Sequence, residues 1–169
     1  INDLNTSYAA NAVTITAEHE RPARFQVECR FAIEKGNPFV VGRIAVSAEQ
    51  PVVIASVRFP SVEVPLPLGE RSDDDAVLLP YCDGCLLHDP LKHSSNPQMK
   101  YPGSASMQML AVFDPTAGLY LAARDSAGHA KVFSSRRNGK RLELSIVHNL
   151  PQVPVRQWKL PYDVVLTTF

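Results

Sequence analysis

Phe25-Gln26-Val27-Glu28-Cys29-Arg30-Phe31-Ala32-Ile33 is the stretch that decides the fold. Phe25, Val27, Cys29, Phe31 and Ile33 fall at every second position, with polar residues or alanine between them. Successive side chains of an extended strand point to opposite faces, so this spacing makes one apolar and one polar face; a helix would scatter the same residues around its axis. Upstream, Ala12 to Ala17 sets Val13 and Ile15 on one side in the same way. Downstream comes a turn, Glu34-Lys35-Gly36-Asn37-Pro38, in which Gly and Asn tolerate positive φ and Pro opens an extended segment. Phe39 to Val46 and Pro51 to Phe59 read as further strands. Pro60, Pro65 and Pro67 then confine the chain to a sheet edge or an irregular stretch, because proline has no N–H to give a ladder.

The last third repeats the pattern with shorter connections. Met107 to Phe113, Leu119 to Ala123, Ala130 to Ser134, Leu142 to Val147 and Tyr162 to Thr168 read as strands. Turns at 114–118 and 125–128 and the pair Asn138-Gly139 join the first four. Asn-Gly suits a type I′ hairpin turn, which needs positive φ at both central positions. From Leu68 to Gly103 the sequence reads as a long loop with one apolar interruption at Ala76 to Pro80. With about ten strands, almost no helical spacing and no internal repeat, the expected fold is an all-β, mostly antiparallel β-sandwich or supersandwich, with residues 1–169 as a single domain.

At 169 residues, 45% hydrophobic and 20% charged, the chain has ordinary globular composition and enough length to bury one core. Seventeen basic and seventeen acidic side chains cancel. No long-range field therefore favours nucleic acid or an anionic membrane, and neither is expected as a partner. No apolar run approaches the ~20 residues that span a bilayer. The chain opens on Ile1 without Met and stops at Phe169, just after the strand-like run 163–168, so it is expected to be excised from a larger protein. Three cysteines are too few, and odd in number, for a disulfide scaffold.

Several groupings admit a chemical and a plain reading. Asp125 and Lys131 flank a hairpin with Gly128 and His129. Either Asp125 accepts turn amides while Lys131 is a solvated strand residue, or both face a sugar or a neighbouring domain. Cys82 and Cys85, with His88 and His93, offer N/S ligands loosely spaced as in a zinc site, or a local disulfide, or ordinary loop thiols. No metal is assigned to them, and no cofactor is called for. Asp73-Asp74-Asp75 lacks the spacing of a calcium loop and reads as a solvated acidic turn. Arg136-Arg137 and Lys140-Arg141 make a basic hairpin tip on an otherwise neutral chain. Among Tyr81, Tyr101, Tyr120, Trp158 and Tyr162, which could stack on sugar faces or pack internally, Trp158 lies in the Pro-rich stretch 151–161 and is expected to be exposed or to dock on another domain. No nucleophile elbow, zinc-protease helix motif or phosphate loop is present, and no pair of carboxylates stands out as a glycosidase pair.

Residues 101–114 (Tyr-Pro-Gly-Ser-Ala-Ser-Met-Gln-Met-Leu-Ala-Val-Phe-Asp), then Gly118-Leu119-Tyr120-Leu121-Ala122-Ala123-Arg124-Asp125 and Gly128-His129-Ala130-Lys131, carry a resemblance. With Arg58-Phe59-Pro60, the Asp73–Asp75 run and Leu79-Pro80 to Gly84, it spans about residues 50 to 169. This part is similar to the β-sandwich, of galactose-mutarotase-like supersandwich type, that precedes the catalytic barrel in a family of glycoside-hydrolase-like proteins. The resemblance implies a non-catalytic accessory domain that supports a barrel of the same polypeptide and contributes to carbohydrate binding, with the catalytic carboxylates elsewhere. Asp125, Lys131 and Trp158 are the expected substrate contacts. Two alternatives stand beside it: a mutarotase-like sugar epimerase, using a His acid and a Glu base, and a stand-alone carbohydrate-binding module.

Overall fold

The computed structural model describes residues 3–20, 23–93 and 96–169. Among them fourteen strands and no helix are found: β1 (Asp3–Ala9), β2 (Ala12–His19), β3 (Phe25–Ile33), β4 (Val40–Val53), β5 (Ser56–Pro65), β6 (Ala76–Leu79), β7 (Cys85–His88), β8 (Gln98–Tyr101), β9 (Met109–Phe113), β10 (Gly118–Arg124), β11 (Lys131–Asn138), β12 (Arg141–Asn149), β13 (Pro154–Lys159) and β14 (Asp163–Thr168). The fold is an all-β antiparallel sandwich, as the alternation requires. A ten-stranded sheet runs β1-β2-β3-β4-β14-β10-β9-β6-β7, with β13 also on β4, and a four-stranded sheet runs β5-β12-β11-β8.

Every strand pairing is antiparallel. Gly139, at φ +62°, turns β11 into β12, with Asn138 opposite Arg141. The core lies between the two sheets. Phe133, Leu144 and Ile146 of the smaller sheet and Leu110, Val112, Leu121 and Val164 of the larger are all fully buried. Each such side chain contributes roughly 1.5–3 kcal/mol by leaving water. On β4, Gly42 makes room for its neighbours in both layers: a Cβ there would lie 2.9 Å from Val164 Cγ2 and 3.2 Å from Phe31 of the same sheet and from Phe59 of the other.

The differences from the sequence reading concern strands that carry little pattern. The expected 68–103 loop holds β6, β7 and β8, each four residues long and too short for alternation to register. β1 and β13 lie in stretches to which the sequence reading assigned no strand; β13 starts on Pro154, which needs no N–H at a strand end. Pro51 to Val53 belong to β4, and a new strand begins at Ser56. That strand, β5, carries Pro60 and Pro65 and is an edge strand, as the prolines demand.

Candidate functional site

β10 of the large sheet passes to β11 of the small one through residues 125–130, and of the polar residues of this corner Asp125 turns inward while Ser126 and His129 are exposed. Lys131 lies two positions before Phe133 and so shares its core-facing side; His148 lies two after Ile146 and faces inward for the same reason. Tyr101, Lys131 and His148 stand side by side across β8, β11 and β12. Lys131 is 1% exposed, Asp125 5% and His148 2%. Lys131 Nζ donates to Asp125 Oδ2 (2.6 Å), His129 O (2.7 Å) and Gln108 Oε1 (2.8 Å). It also lies 4.9 and 4.8 Å from the ring centres of Tyr101 and Tyr162. Three acceptors match the three protons of an ammonium, so the cluster holds Lys131 charged.

Asp125 accepts four bonds, one more than Lys131 gives. Its Oδ1 receives Ala127 N (3.1 Å) and His129 Nδ1 (2.9 Å), and its Oδ2 receives His129 N (2.6 Å) besides the Lys131 ammonium. Burial alone pushes this carboxyl up, but the bonds from Lys131 and His129 outweigh it and bring it to about 2. Burial, the largest influence on Lys131, pulls it below its ordinary value against the pull of Asp125. His148 Nε2 meets the Phe59 carbonyl at 2.6 Å and must donate to it, so Nδ1 accepts from the Tyr162 hydroxyl at 2.7 Å. Burial, only partly opposed by that carbonyl, holds His148 at about 4 and therefore neutral at pH 7. Burial also pushes the Tyr162 phenol well above its usual range.

Asp125 and Lys131 are thus brought together, in a setting neither expectation described. Asp125 does accept turn amides, but Lys131 is neither solvated nor aimed at a ligand, since each of its protons is engaged inside the protein. Gln108 and His148, which were not singled out from the sequence, complete the cluster together with Tyr162, one of the rings expected either to stack on a sugar or to pack internally. Counting back by two from Phe133 and forward by two from Ile146 is the signal that would have found Lys131 and His148 inside. At the surface above them lies a depression of about 290 Å³ lined by Arg124, Asp125, His129, Pro161, Tyr162 and Asp163. Arg124 there pairs with Glu34 (3.1 Å) and Asp163 with Arg43 (2.6 Å), and the His129 and His148 rings each approach Tyr162 to 5.5 Å.

The remaining candidates are dispersed or paired. Cys82 and Cys85 are exposed free thiols, and His88 and His93 are exposed. Among the described residues no three His, Cys, Asp or Glu side chains converge on a position that could hold a metal ion. The acidic turn is only partly solvated: Asp73 pairs with Arg71 (2.6 Å), whereas Asp75 is fully buried, accepts from Leu68 N, and is pushed up by burial. At the basic tip, Arg141 pairs with Glu63 at 2.9 Å. Arg136 and Arg58 lie over the nearly buried Glu143 at 2.7 and 2.8 Å. Burial pushes Glu143 up, but the bonds from Ser61, Arg58 and Arg136 outweigh it and hold it below its ordinary value.

Trp158 is not an isolated exposed ring. It sits on β13 opposite Val46 and packs against the core. Its ladder neighbours Gln157 and Lys159 stand opposite Ser47 and Ala45, which face Gln26 and Glu28 of β3. These residues form an open groove of about 460 Å³ on the large sheet, with Val46 and Trp158 among its lining. A second depression of about 350 Å³ shares Gln26 and Ser47 and adds Glu18, Arg24 and Glu49. Amides, carboxylates, a hydroxyl and an ammonium side by side supply the donors and acceptors that a neutral polyol needs.

No protein-family model matches the chain, and no curated protein matches it in sequence. Solved structures do match in fold. The α-N-acetylgalactosaminidase NagBb from Bifidobacterium bifidum superposes with a TM-score of 0.64 at 10% identity, over 99% of this chain and 27% of that one. The GH36 α-galactosidase AgaA from Geobacillus stearothermophilus gives 0.60 at 12% identity, over 100% of this chain and 26% of that one. A putative aldose 1-epimerase from Escherichia coli K12 gives 0.65 at 9% identity, over 99% of this chain and 69% of that one. The chain therefore spans about a quarter of the length of either glycosidase. At these identities the likeness is one of architecture: the chain has the galactose-mutarotase-like β-sandwich fold, shared by sandwich domains of glycosidases and by aldose epimerases.

Proposed function

We propose that this chain is the accessory β-sandwich of a carbohydrate-active enzyme, supporting a catalytic barrel of the same polypeptide and offering the Gln26–Glu28–Ser47–Gln157–Lys159 groove to a saccharide. The observation that carries the reading is how the buried acids and bases are used. Asp125 is bound to Lys131, Glu143 to two arginines, and both nitrogens of His148 are engaged, so general acid–base chemistry has no free buried partner among them. The groove, by contrast, is open and polar without a net field, which suits a neutral sugar. The fold likeness to portions of an α-galactosidase and an α-N-acetylgalactosaminidase supports galacto-configured glycans as first ligands to try. The test is titration of the chain with galactosides and N-acetylgalactosaminides by calorimetry, alongside hydrolysis assays of the corresponding aryl glycosides. Binding that is lost in Gln26→Ala/Gln157→Ala, without hydrolysis, is the expected result; hydrolysis by the chain alone would refute it.

A second reading, a mutarotase-like epimerase, is favoured by the two imidazoles of His129 and His148 flanking Tyr162 beside Asp125. Polarimetry on freshly dissolved galactose separates the two. Acceleration of anomer interconversion that disappears in His129→Ala would put the epimerase first.

A further inference from the structure

We propose that two copies of this chain pair antiparallel along β1, about a two-fold axis through Thr6, joining their large sheets into one. Among the described residues β1, β5, β7, β8 and β13 each have a free edge, and all but β1 are blunted. β7 and β8 are four residues long, β5 carries Pro60 and Pro65, and β13 starts on Pro154. Short strands and prolines are the usual means by which a sheet avoids pairing with another chain. β1 has neither. It runs seven residues, Asp-Leu-Asn-Thr-Ser-Tyr-Ala, without proline, lysine or bulge, in unbroken register with β2 from Asp3↔Glu18 to Ala9↔Ala12.

The face that β1 presents is apolar where solvent would favour polar groups. Leu4, Thr6 and Tyr8 stand opposite Ala17, Ile15 and Val13 of β2, which in turn stand opposite Val27, Cys29 and Phe31 of β3. Phe31 meets Phe59 of β5 (5.5 Å between ring centres), and β5 is the edge of the smaller sheet, so β2 and β1 extend past the layer that covers the core. Leu4 is 65% and Tyr8 79% exposed. A compact monomer of this mass exposes about 8,200 Å²; this chain exposes 9831 Å². The surplus of about 1,600 Å² exceeds the ~800 Å² that one partner gives to a standard interface.

The sequence of β1 specifies a second copy as the occupant, because the strand complements itself. With Thr6 on the axis, Leu4 faces Tyr8 of the second copy twice over, Thr6 faces Thr6, and Asn5 faces Ser7 on the other side. Aromatic–aliphatic, Thr–Thr and polar–polar pairs are those that stabilise antiparallel strands. An antiparallel strand pair is compatible with the two-fold symmetry that most homodimers adopt.

Sedimentation equilibrium and light scattering test this on the full chain. Twice the chain mass of 18.6 kDa is expected at about 100 µM, in the range a standard-sized interface reaches. Leu4→Lys/Tyr8→Lys sets two lysines opposite each other at both symmetry-related positions and is expected to weaken association about 100-fold or more. Both side chains are exposed in the single chain, so its circular dichroism should not change. Leu4→Lys/Tyr8→Glu puts opposite charges at the same positions and should restore the dimer. A wild-type monomer at every concentration, a dimer indifferent to the double lysine change, or failure of the charge-complementary pair to restore association would overturn the proposal.

Discussion

Replacing Lys131 by Met, which keeps the length of the side chain and removes the charge, tests the claim that the corner is held by a buried ion pair. In the native protein the Lys131 and Asp125 side chains are 0% and 2% exposed, with 2.6 Å between Nζ and Oδ2. Lys131→Met leaves the Asp125 carboxylate buried with its turn bonds but without its counter-charge. Removing one partner of a buried pair costs about 3–5 kcal/mol, chiefly because the other charge is left uncompensated. For a domain of this size that lowers the melting temperature by roughly 10 °C. Urea unfolding at pH 7 followed by circular dichroism measures it. The dependence on pH gives a second, sharper readout. In the wild type Asp125 falls from an ordinary 3.8 to about 2 on folding, so its contribution is complete above pH 3.8 and is lost as pH drops towards 2. In Lys131→Met the stranded carboxyl is raised instead, and acidification should relieve part of the loss by protonating it. Neutralising both partners, in Asp125→Asn/Lys131→Met, should recover much of the stability. A loss below about 1 kcal/mol for Lys131→Met at pH 7 would be typical of an exposed ion pair and would refute this account of the corner.

Three further outcomes follow from the same geometry. His148 is held at about 4 when folded against 6.5 when free, so the unfolded chain binds the extra proton between these values. Stability should therefore fall by about 3 kcal/mol as pH drops from 6.5 to 4, and His148→Gln should flatten that slope in urea titrations at pH 7, 5.5 and 4. Gly42→Ala places a methyl 2.9 Å from Val164 Cγ2 and should cost about 1–3 kcal/mol in thermal unfolding, by forcing Phe31 and Phe59 off their positions. Gly139→Val puts a β-branched side chain at φ +62° and should cost about 1–2 kcal/mol, leaving the rest of the fold intact by circular dichroism.

The sequence alone established the local rules and their direct consequences. Alternation at Phe25–Ile33 assigned a strand with one apolar side, Asn138-Gly139 marked a hairpin, which the structure closes one residue later over Gly139-Lys140, and Pro60 and Pro65 confined their segment to an edge or an irregular stretch, of which the structure takes the edge; each is a property of neighbouring residues. Alternation states which side of a strand is apolar, but not which sheet the strand joins or what lies across from it. Those depend on pairings between distant segments, such as β14 between β4 and β10, or β5 beside β12. For the same reason both readings of Lys131, as solvated or as facing a sugar or a neighbouring domain, put it at the surface: charge suggests water, and only Asp125, Gln108 and the His129 carbonyl, gathered from three separate positions, make its burial tolerable. Short strands such as β7 and β8 have too few residues to show a period and are ordered by the ladders they join. Tertiary structure also decided the functional surfaces: the polar groove exists because β3 and β13 both pair with β4, and the β1 face lies open because the smaller sheet ends at β5. Neither is a property of any one segment, since both arise from how far one layer extends past the other.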